Sequence, residues 1–236
     1  MNSQNIRSAM LYGEDYDQHL QNKTVCIFGI GGVGGFVCEG LARIGVGHLI
    51  LVDHDEVSLS NLNRQIIATH ETIGKAKVDV MKERILSINP NIKVDIYKEF
   101  YLKDKALEAI YEGADYVVDA IDTVSAKIAL IMTCQEKGIP IISSMGTGNK
   151  TDPQHLTVCD IYDTDIDPLA RVMRRELKKR GVTHCQVVYS KEPPLTPVIK
   201  EVGENGKVTP GSSPFVPSSA GLLIASVVTK ELLNSF

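Results

Sequence analysis

No two of the five cysteines, Cys26, Cys38, Cys134, Cys159 and Cys185, form a CxxC pair. Without four suitably spaced thiolates an all-cysteine zinc ribbon cannot form, so no zinc is expected. Cys26 and Cys38 fall in an apolar strand and helix and read as small buried hydrophobes. The opening stretch MNSQNIRSAM lacks the apolar core of a signal peptide. The longest mainly apolar run, Ala220 to Val228, falls short of the roughly 20 residues that a membrane span requires. Internal repeats and low-complexity tails are absent, and so is any general excess of positive charge. With a formal net charge of −4, contact with nucleic acid has to come from a local patch. A cytoplasmic protein with no membrane span is the expectation. At 236 residues and 43% hydrophobic content, the chain can bury a sizeable core as one domain over 1–236. Its nucleotide-binding part spans roughly 20–150, and a C-terminal substrate or dimer part spans roughly 151–236.

What is present begins with TVCIFGIGGVG, from Thr24 to Gly34. A β-branched apolar run ends in a glycine turn, and a helical segment, Phe36 to Ile44, follows at once. Strand, turn and helix N-terminus together make a nest of backbone N–H groups for a phosphate chain. Gly29, Gly31, Gly32 and Gly34 let the backbone approach the anion and the helix pack on the strand. HLILVD then places Asp53 at the end of a second strand, where an acid about 20 residues past the glycines partners a ribose.

Further on, strands alternate with helices. KAKVDVMKERILS and the Ile88 after it have Val78, Met81, Ile85 and Ile88 at helical spacing and stop at Asn89-Pro90; the strand IKVDIY follows, then a helix near Leu102 to Tyr111. The strand YVVDAID, a helix from Thr123 to Lys137 and the strand IPIISS complete the pattern. Such alternation predicts an α/β, Rossmann-like, mostly parallel sheet with helices on both faces. After Gly146-Thr147-Gly148 a C-terminal α+β extension begins: the strand HLTVCDI, the helix DPLARVMRRELKKRG, the strand QVVYS, a Pro- and Gly-rich loop from Pro193 to Pro217, and an apolar helix from Ala220 to Leu233. At the N-terminus a polar helix from Arg7 to Asn22 offers Leu11 and Leu20 to the core. Asp152 and Asp167, each before a proline, read as turn or cap residues, and His54 and His70 as surface histidines.

A dehydrogenase would use the glycine turn and Asp53, but would leave the following polar cluster without work. Asn61, Arg64 and Gln65 stand in SNLNRQ, Lys77 lies thirteen residues beyond Arg64, and Asp122 closes the YVVDAID strand. Arg64 offers a planar fork to phosphoryl oxygens and Lys77 a compact charge. Asp122, at the carboxyl edge of a parallel strand, can hold Mg2+ directly or through its water. Taken singly, Arg64 and Lys77 also read as solvated charges, and Asp122 as a helix cap.

The stretches GIGGVGGFVCEGLARIGVGHLILVDHDEVSLSNLNRQ, IGKAKVDVMKERILSINP and VVDAIDTVSAK resemble the ubiquitin-activating-like superfamily of adenylating enzymes, in which a carboxylate attacks the α-phosphate of ATP and pyrophosphate leaves. The resemblance implies that Asp53 binds ribose, that Asn61, Arg64 and Lys77 contact the phosphates, and that Asp122 handles magnesium. It also implies a homodimer in which Arg7 reaches across to the other subunit's site. Members that activate sulfur-carrier proteins typically carry two CxxC pairs; this chain departs from that feature, which demotes a sulfur-transfer or carrier protein as partner. SSMGTGNKTDP, the DPLARVMRRELKKRG helix, VVYSKEPP and GSSPFVPSSAGLLIASVVTKELL instead resemble the tRNA threonylcarbamoyladenosine dehydratase group, over nearly the whole chain. That resemblance implies tRNA carrying threonylcarbamoyladenosine as substrate. ATP activates the threonyl carboxylate, and the nearby carbamoyl nitrogen closes a ring with loss of AMP. A tethered nucleophile of this kind has no need of a catalytic thiol.

In DPLARVMRRELKKRG the residues Leu169, Val172, Met173 and Leu177 form the inward stripe. Arg171, Arg174, Arg175, Lys178, Lys179 and Arg180 lie largely outside it, six cations in the ten residues 171–180 against one acid there, Glu176. An ordinary solvated helix face has this composition too. Beside the resemblance, we read the six cations as a footprint for tRNA phosphates.

Overall fold

Short runs of Val, Ile and Leu between turn residues become the strands of one sheet in the computed structural model, which describes residues 3–101, 110–201 and 208–234. The strands are β1 (Thr24–Phe28), β2 (His48–Val52), β3 (Lys93–Tyr97), β4 (Tyr116–Asp119), β5 (Ile141–Ser144), β6 (Leu156–Asp160) and β7 (Gln186–Ser190). They lie in the order β3-β2-β1-β4-β5-β7-β6, all neighbours parallel except the edge pair β6 and β7. Along β1, Val25 and Ile27 face one side and Cys26 and Phe28 the other, all four fully buried. A strand covered on both faces reads as a continuous apolar run, as β1 does. The C-terminal extension continues the same sheet.

The helices are α1 (Ile6–Tyr12), α2 (Tyr16–Gln21), α3 (Gly34–Ile44), α4 (Lys77–Ile88), α5 (Val124–Lys137), α6 (Pro168–Lys179) and α7 (Phe215–Asn234). On one face α3, α4 and α7 pack with Val25, Ile27, Leu49, Leu51 and Val118. On the other, α5 covers Cys26, Phe28 and Val117, and α6 adds Ala170, Met173 and Leu177 to a cluster with Val187 and Tyr189. Two glycines let α7 approach α3. A Cβ on Gly221 would stand 2.4 Å from the Val33 carbonyl oxygen and 2.8 Å from the Phe36 Cβ, and one on Gly40 would stand 2.7 Å from the Ala225 Cβ.

Several expectations need correction. The N-terminal helix breaks at Gly13 into α1 and α2, and Leu11 is 81% exposed while Leu20 is fully buried. β4 stops at Asp119, so Asp122 sits in the turn beyond the strand. The helix expected near Leu102 to Tyr111 lies mostly outside the described residues. The last helix begins at Phe215, five residues before Ala220, and at 20 residues with mean hydropathy 1.3 it is long enough to span a bilayer by composition alone. Half of that stretch is buried against α3 and the sheet, the pattern of a core helix.

Candidate functional site

β1 lies between β2 and β4, so the chain leaves the sheet centre in opposite directions on either side of it. A crevice opens outside the carboxyl ends of strands at such a switch point. Here it encloses about 470 Å³. Into it come Gly29, Gly31 and Gly32 from the turn after β1, Asp53 from the end of β2, Asn61, Arg64 and Gln65 from the long loop, Lys77 from the first turn of α4, and Asp122 from the turn after β4. Residues separated by almost a hundred positions thus share one wall.

Gly29 has a φ of +88°, and a Cβ there would lie 2.6 Å from the Ala120 carbonyl oxygen, so the turn fits tightly under the β4 loop. Gly34 lies outside the lining. A Cβ on it would come within 1.8 Å of the Gly29 carbonyl oxygen, which makes it a packing residue between turn and helix. The helix starts at this glycine, two residues ahead of Phe36.

Asp53 accepts the Ile30 N–H at 2.6 Å and the Asp55 N–H at 2.8 Å, which locks its carboxylate against the glycine turn. Lys77 is buried and donates to Asp55 Oδ2 at 2.6 Å. Arg64 donates to the Ser60 carbonyl at 2.9 Å and to Asn63 Oδ1 at 3.0 Å. Asn61 accepts the Ser58 N–H at 3.1 Å, closing a capped turn over Leu59–Asn61. Asp122 is exposed and accepts the Thr123 hydroxyl at 3.2 Å. The Gln65 side-chain oxygen is buried and, among the described residues, has no hydrogen-bond partner, so it can accept from a ligand in the crevice.

Sequence reasoning missed much of the remaining wall. Phe28, Val52, Phe100 and Tyr101 supply apolar and aromatic surface, with the Phe28 and Tyr101 rings edge-on at 5.0 Å. His54 is exposed, as read from the sequence, and it also lines the crevice, where its ring meets the Phe100 ring edge-on at 4.8 Å. Met145 to Gly148 and Pro210, Ser212 and Pro217 contribute from the C-terminal half. The glycine-rich MGTG at the end of a parallel strand was the available signal, since it repeats the logic of the first turn. The set suits a nucleoside triphosphate: backbone donors and cations for phosphates, an acid for ribose, apolar surface for a base, and carboxylates for a divalent cation.

Arg7 lies exposed on α1, outside the crevice of its own chain. On α6, Arg171, Arg175, Lys178, Lys179 and Arg180 are exposed, whereas Arg174 is half-buried and hydrogen-bonds the Thr164 carbonyl at 2.7 Å as well as its hydroxyl. Leu169, near the start of α6, lines the crevice. Asp167 caps α6 by accepting the Ala170 N–H at 2.8 Å, and also holds the buried Lys150 ammonium at 2.7 Å, a pairing its place before Pro168 did not announce. All five cysteines are free thiols, four of them buried. Burial pushes the Cys134 and Cys185 thiols up to about 12, away from thiolate chemistry.

The sequence pattern of the ThiF family matches residues 3–234. A tRNA threonylcarbamoyladenosine dehydratase of Bacillus subtilis (strain 168) is 43% identical over 97% of this chain and 94% of its own length. A molybdopterin-synthase adenylyltransferase of Escherichia coli (strain K12) is 36% identical over 75% of this chain and 70% of its own. Among solved structures, the Escherichia coli tRNA N6-threonylcarbamoyladenosine dehydratase in complex with ATP superposes with a TM-score of 0.89 at 34% identity, covering 98% of this chain and 94% of that one.

Proposed function

The chain belongs to the ThiF family, and on that premise we propose that it is an ATP-dependent tRNA threonylcarbamoyladenosine dehydratase acting through an acyl adenylate. The observation that carries this reading is the convergence of Asp53, Arg64, Lys77 and Asp122 on one crevice at the sheet switch point, in a chain that matches an ATP-bound dehydratase over nearly its full length.

In the proposed reaction the threonyl carboxylate of the modified adenosine attacks the α-phosphate of ATP and pyrophosphate leaves. Arg64 and Lys77 face the charge that develops on the phosphates, and the N–H groups of Gly29 to Gly32 cradle the chain. Asp53 orients the ribose. Asp122 is the residue that would hold Mg2+, and the ion would supply positive charge against the phosphates. The carbamoyl nitrogen then attacks the activated carbonyl, a ring closes, and AMP carries away the carboxylate oxygen, so the nucleoside loses the elements of water. Because that nitrogen is already tethered, its effective molarity is on the order of 10⁵ M, and a covalent thiol intermediate would add little.

The tRNA docks along the exposed cations of α6, whose first turn opens on the crevice through Leu169. The enzyme works in the cytoplasm as a homodimer that brings Arg7 to the neighbouring subunit's site. Supporting this, Met10 and Leu11 beside Arg7 are 76% and 81% exposed, an apolar surface that a second subunit would cover.

Exchange of labelled pyrophosphate into ATP tests the proposal. Exchange should require tRNA carrying threonylcarbamoyladenosine and be accompanied by cyclisation of the nucleoside. The similarity to the molybdopterin-synthase adenylyltransferase supports a second reading, adenylation of a ubiquitin-like or sulfur-carrier protein. Exchange driven by such a carrier and not by the tRNA would favour that reading and refute the first.

A further inference from the structure

Asp122 is exposed at the crevice, in the turn between β4 and α5, and a residue so placed needs something to fix it. Directly beneath it lies an ion pair that no step of the reaction uses. Asp119 and Lys127 are both fully buried, with the ammonium 3.0 Å from Asp119 Oδ2. The same oxygen accepts the Ser143 hydroxyl at 2.6 Å, and Oδ1 accepts the Ile121 N–H at 3.1 Å. Lys127 also donates to the Ile121 carbonyl at 3.0 Å, while its own backbone N–H bonds the Thr123 carbonyl. Ile121 is therefore gripped at both its N–H and its C=O, and the peptide that leads into Asp122 has little freedom left.

Stability alone does not account for this arrangement. Two ions out of water cost several kcal/mol each, and a well-packed apolar pair of the same volume usually holds a core as firmly. What the ion pair supplies and an apolar pair cannot is direction, through the two side-chain hydrogen bonds that grip the Ile121 N–H and C=O, with the Ser143 hydroxyl holding Asp119 in place for them. We propose that Asp119 and Lys127 form a clamp that positions Asp122 for the magnesium of the nucleotide. They are positioning residues, since neither lines the crevice. The proposal rests on the reading of Asp122 as the magnesium residue, and its test separates the two.

The double variant Asp119→Asn with Lys127→Met removes both charges and keeps most of the volume. ATP affinity is measured by calorimetry with and without Mg2+, for the wild type, the double variant and Asp122→Asn, with thermal melting as the control for folding. The double variant should melt within a few degrees of the wild type and bind metal-free ATP equally well. Its magnesium-dependent gain in ATP affinity should fall about tenfold, the scale of one charge-assisted interaction, in the direction of Asp122→Asn. A full gain in the double variant beside a lost gain in Asp122→Asn would overturn the clamp and leave the magnesium reading standing. A full gain in Asp122→Asn would overturn the magnesium reading and the clamp with it. Where the double variant fails to melt cooperatively, Ser143→Ala, which withdraws one hydrogen bond and little volume, takes its place: a twofold to threefold loss of the gain supports the clamp, and no loss overturns it.

Discussion

Replacing Arg171, Arg175 and Lys178 together by alanine should flatten the salt dependence of tRNA use without touching ATP. These three recur at i, i+4 and i+7, so they share one stripe of α6, spanning roughly 10 Å along its axis. They are exposed, whereas Arg174 is committed to Thr164 and cannot be changed without loosening the helix from its neighbours. Arg180, Lys179 and Arg175 all hydrogen-bond Glu176, at 2.8, 3.0 and 3.1 Å, and hold its carboxyl down to about 2; leaving Lys179 and Arg180 in place keeps two of these three partners in the variant. Each cation that neutralises a phosphate contributes about 0.7 to 0.9 to the slope of log affinity against log salt, so three contribute about 2.1 to 2.7. Over a fourfold rise in salt from about 50 to 200 mM, the wild-type KM for tRNA should therefore rise by a factor about 20 to 40 times larger than the variant's. Steady-state AMP release at several tRNA and salt concentrations gives the slopes. Far-UV circular dichroism confirms that Met173 and Leu177 still seat the helix, and calorimetry that ATP affinity is unchanged. Parallel slopes would refute α6 as the docking face, whatever happened to the absolute KM.

Three other outcomes follow from the packing and titration of the chain. Gly221→Ala or Gly40→Ala should each cost about 1–3 kcal/mol, because backbone or a helix-bound methyl stands within 2.7 Å of the new carbon; urea unfolding reads this, and a neutral result would mean that α3 and α7 can part. Native enzyme treated with iodoacetamide at pH 7.5 should keep its cyclising activity, since burial raises the Cys134 and Cys185 thiols to about 12; stoichiometric inactivation would implicate a thiol. Burial works to raise the Glu39 carboxyl, but hydrogen bonds from Arg84 and Arg43 outweigh it and hold the group below its ordinary 4.5. Its stabilisation, about 1 kcal/mol after solvent screening of the arginines, is complete above the ordinary carboxylate range and is lost as pH falls through the lowered value. Glu39→Gln should therefore differ from wild type in urea stability at neutral pH, and the difference should shrink as pH falls below the ordinary carboxylate range.

The division between what the residues announced and what they concealed follows sequence distance and chemistry. TVCIFGIGGVG was legible because strand, tight turn and helix entry are local, and their backbone conformation requires glycine in that order. Asp53, Arg64, Lys77 and Asp122 were legible as types suited to a triphosphate, but their meeting in one crevice depends on β1 lying between β2 and β4, which no local pattern encodes. The Met145–Gly148 wall and Pro217 reach the same space only after β5 pairs with β4 and α7 lies along α3, so their role became visible with the topology. Lys127 is the sharpest case. On a helical wheel a lysine in VSAKIALIMTCQEK reads as a solvated interruption of an apolar stripe, and periodicity assigns it to water. It is buried because Asp119, eight residues earlier at the end of a strand, gives its ammonium an anion, and because the Ile121 carbonyl gives it a second acceptor. A buried charge is legible only together with its partner, and partners are chosen by the turn that separates them. The same reasoning explains Lys150, whose acceptors Asp167, Gly146 and Ser190 come from three separate segments. Hydrophobic pattern fixes which surfaces meet, and the buried ions then fix how the loops between them are held, which is the scale on which an adenylating site has to be built.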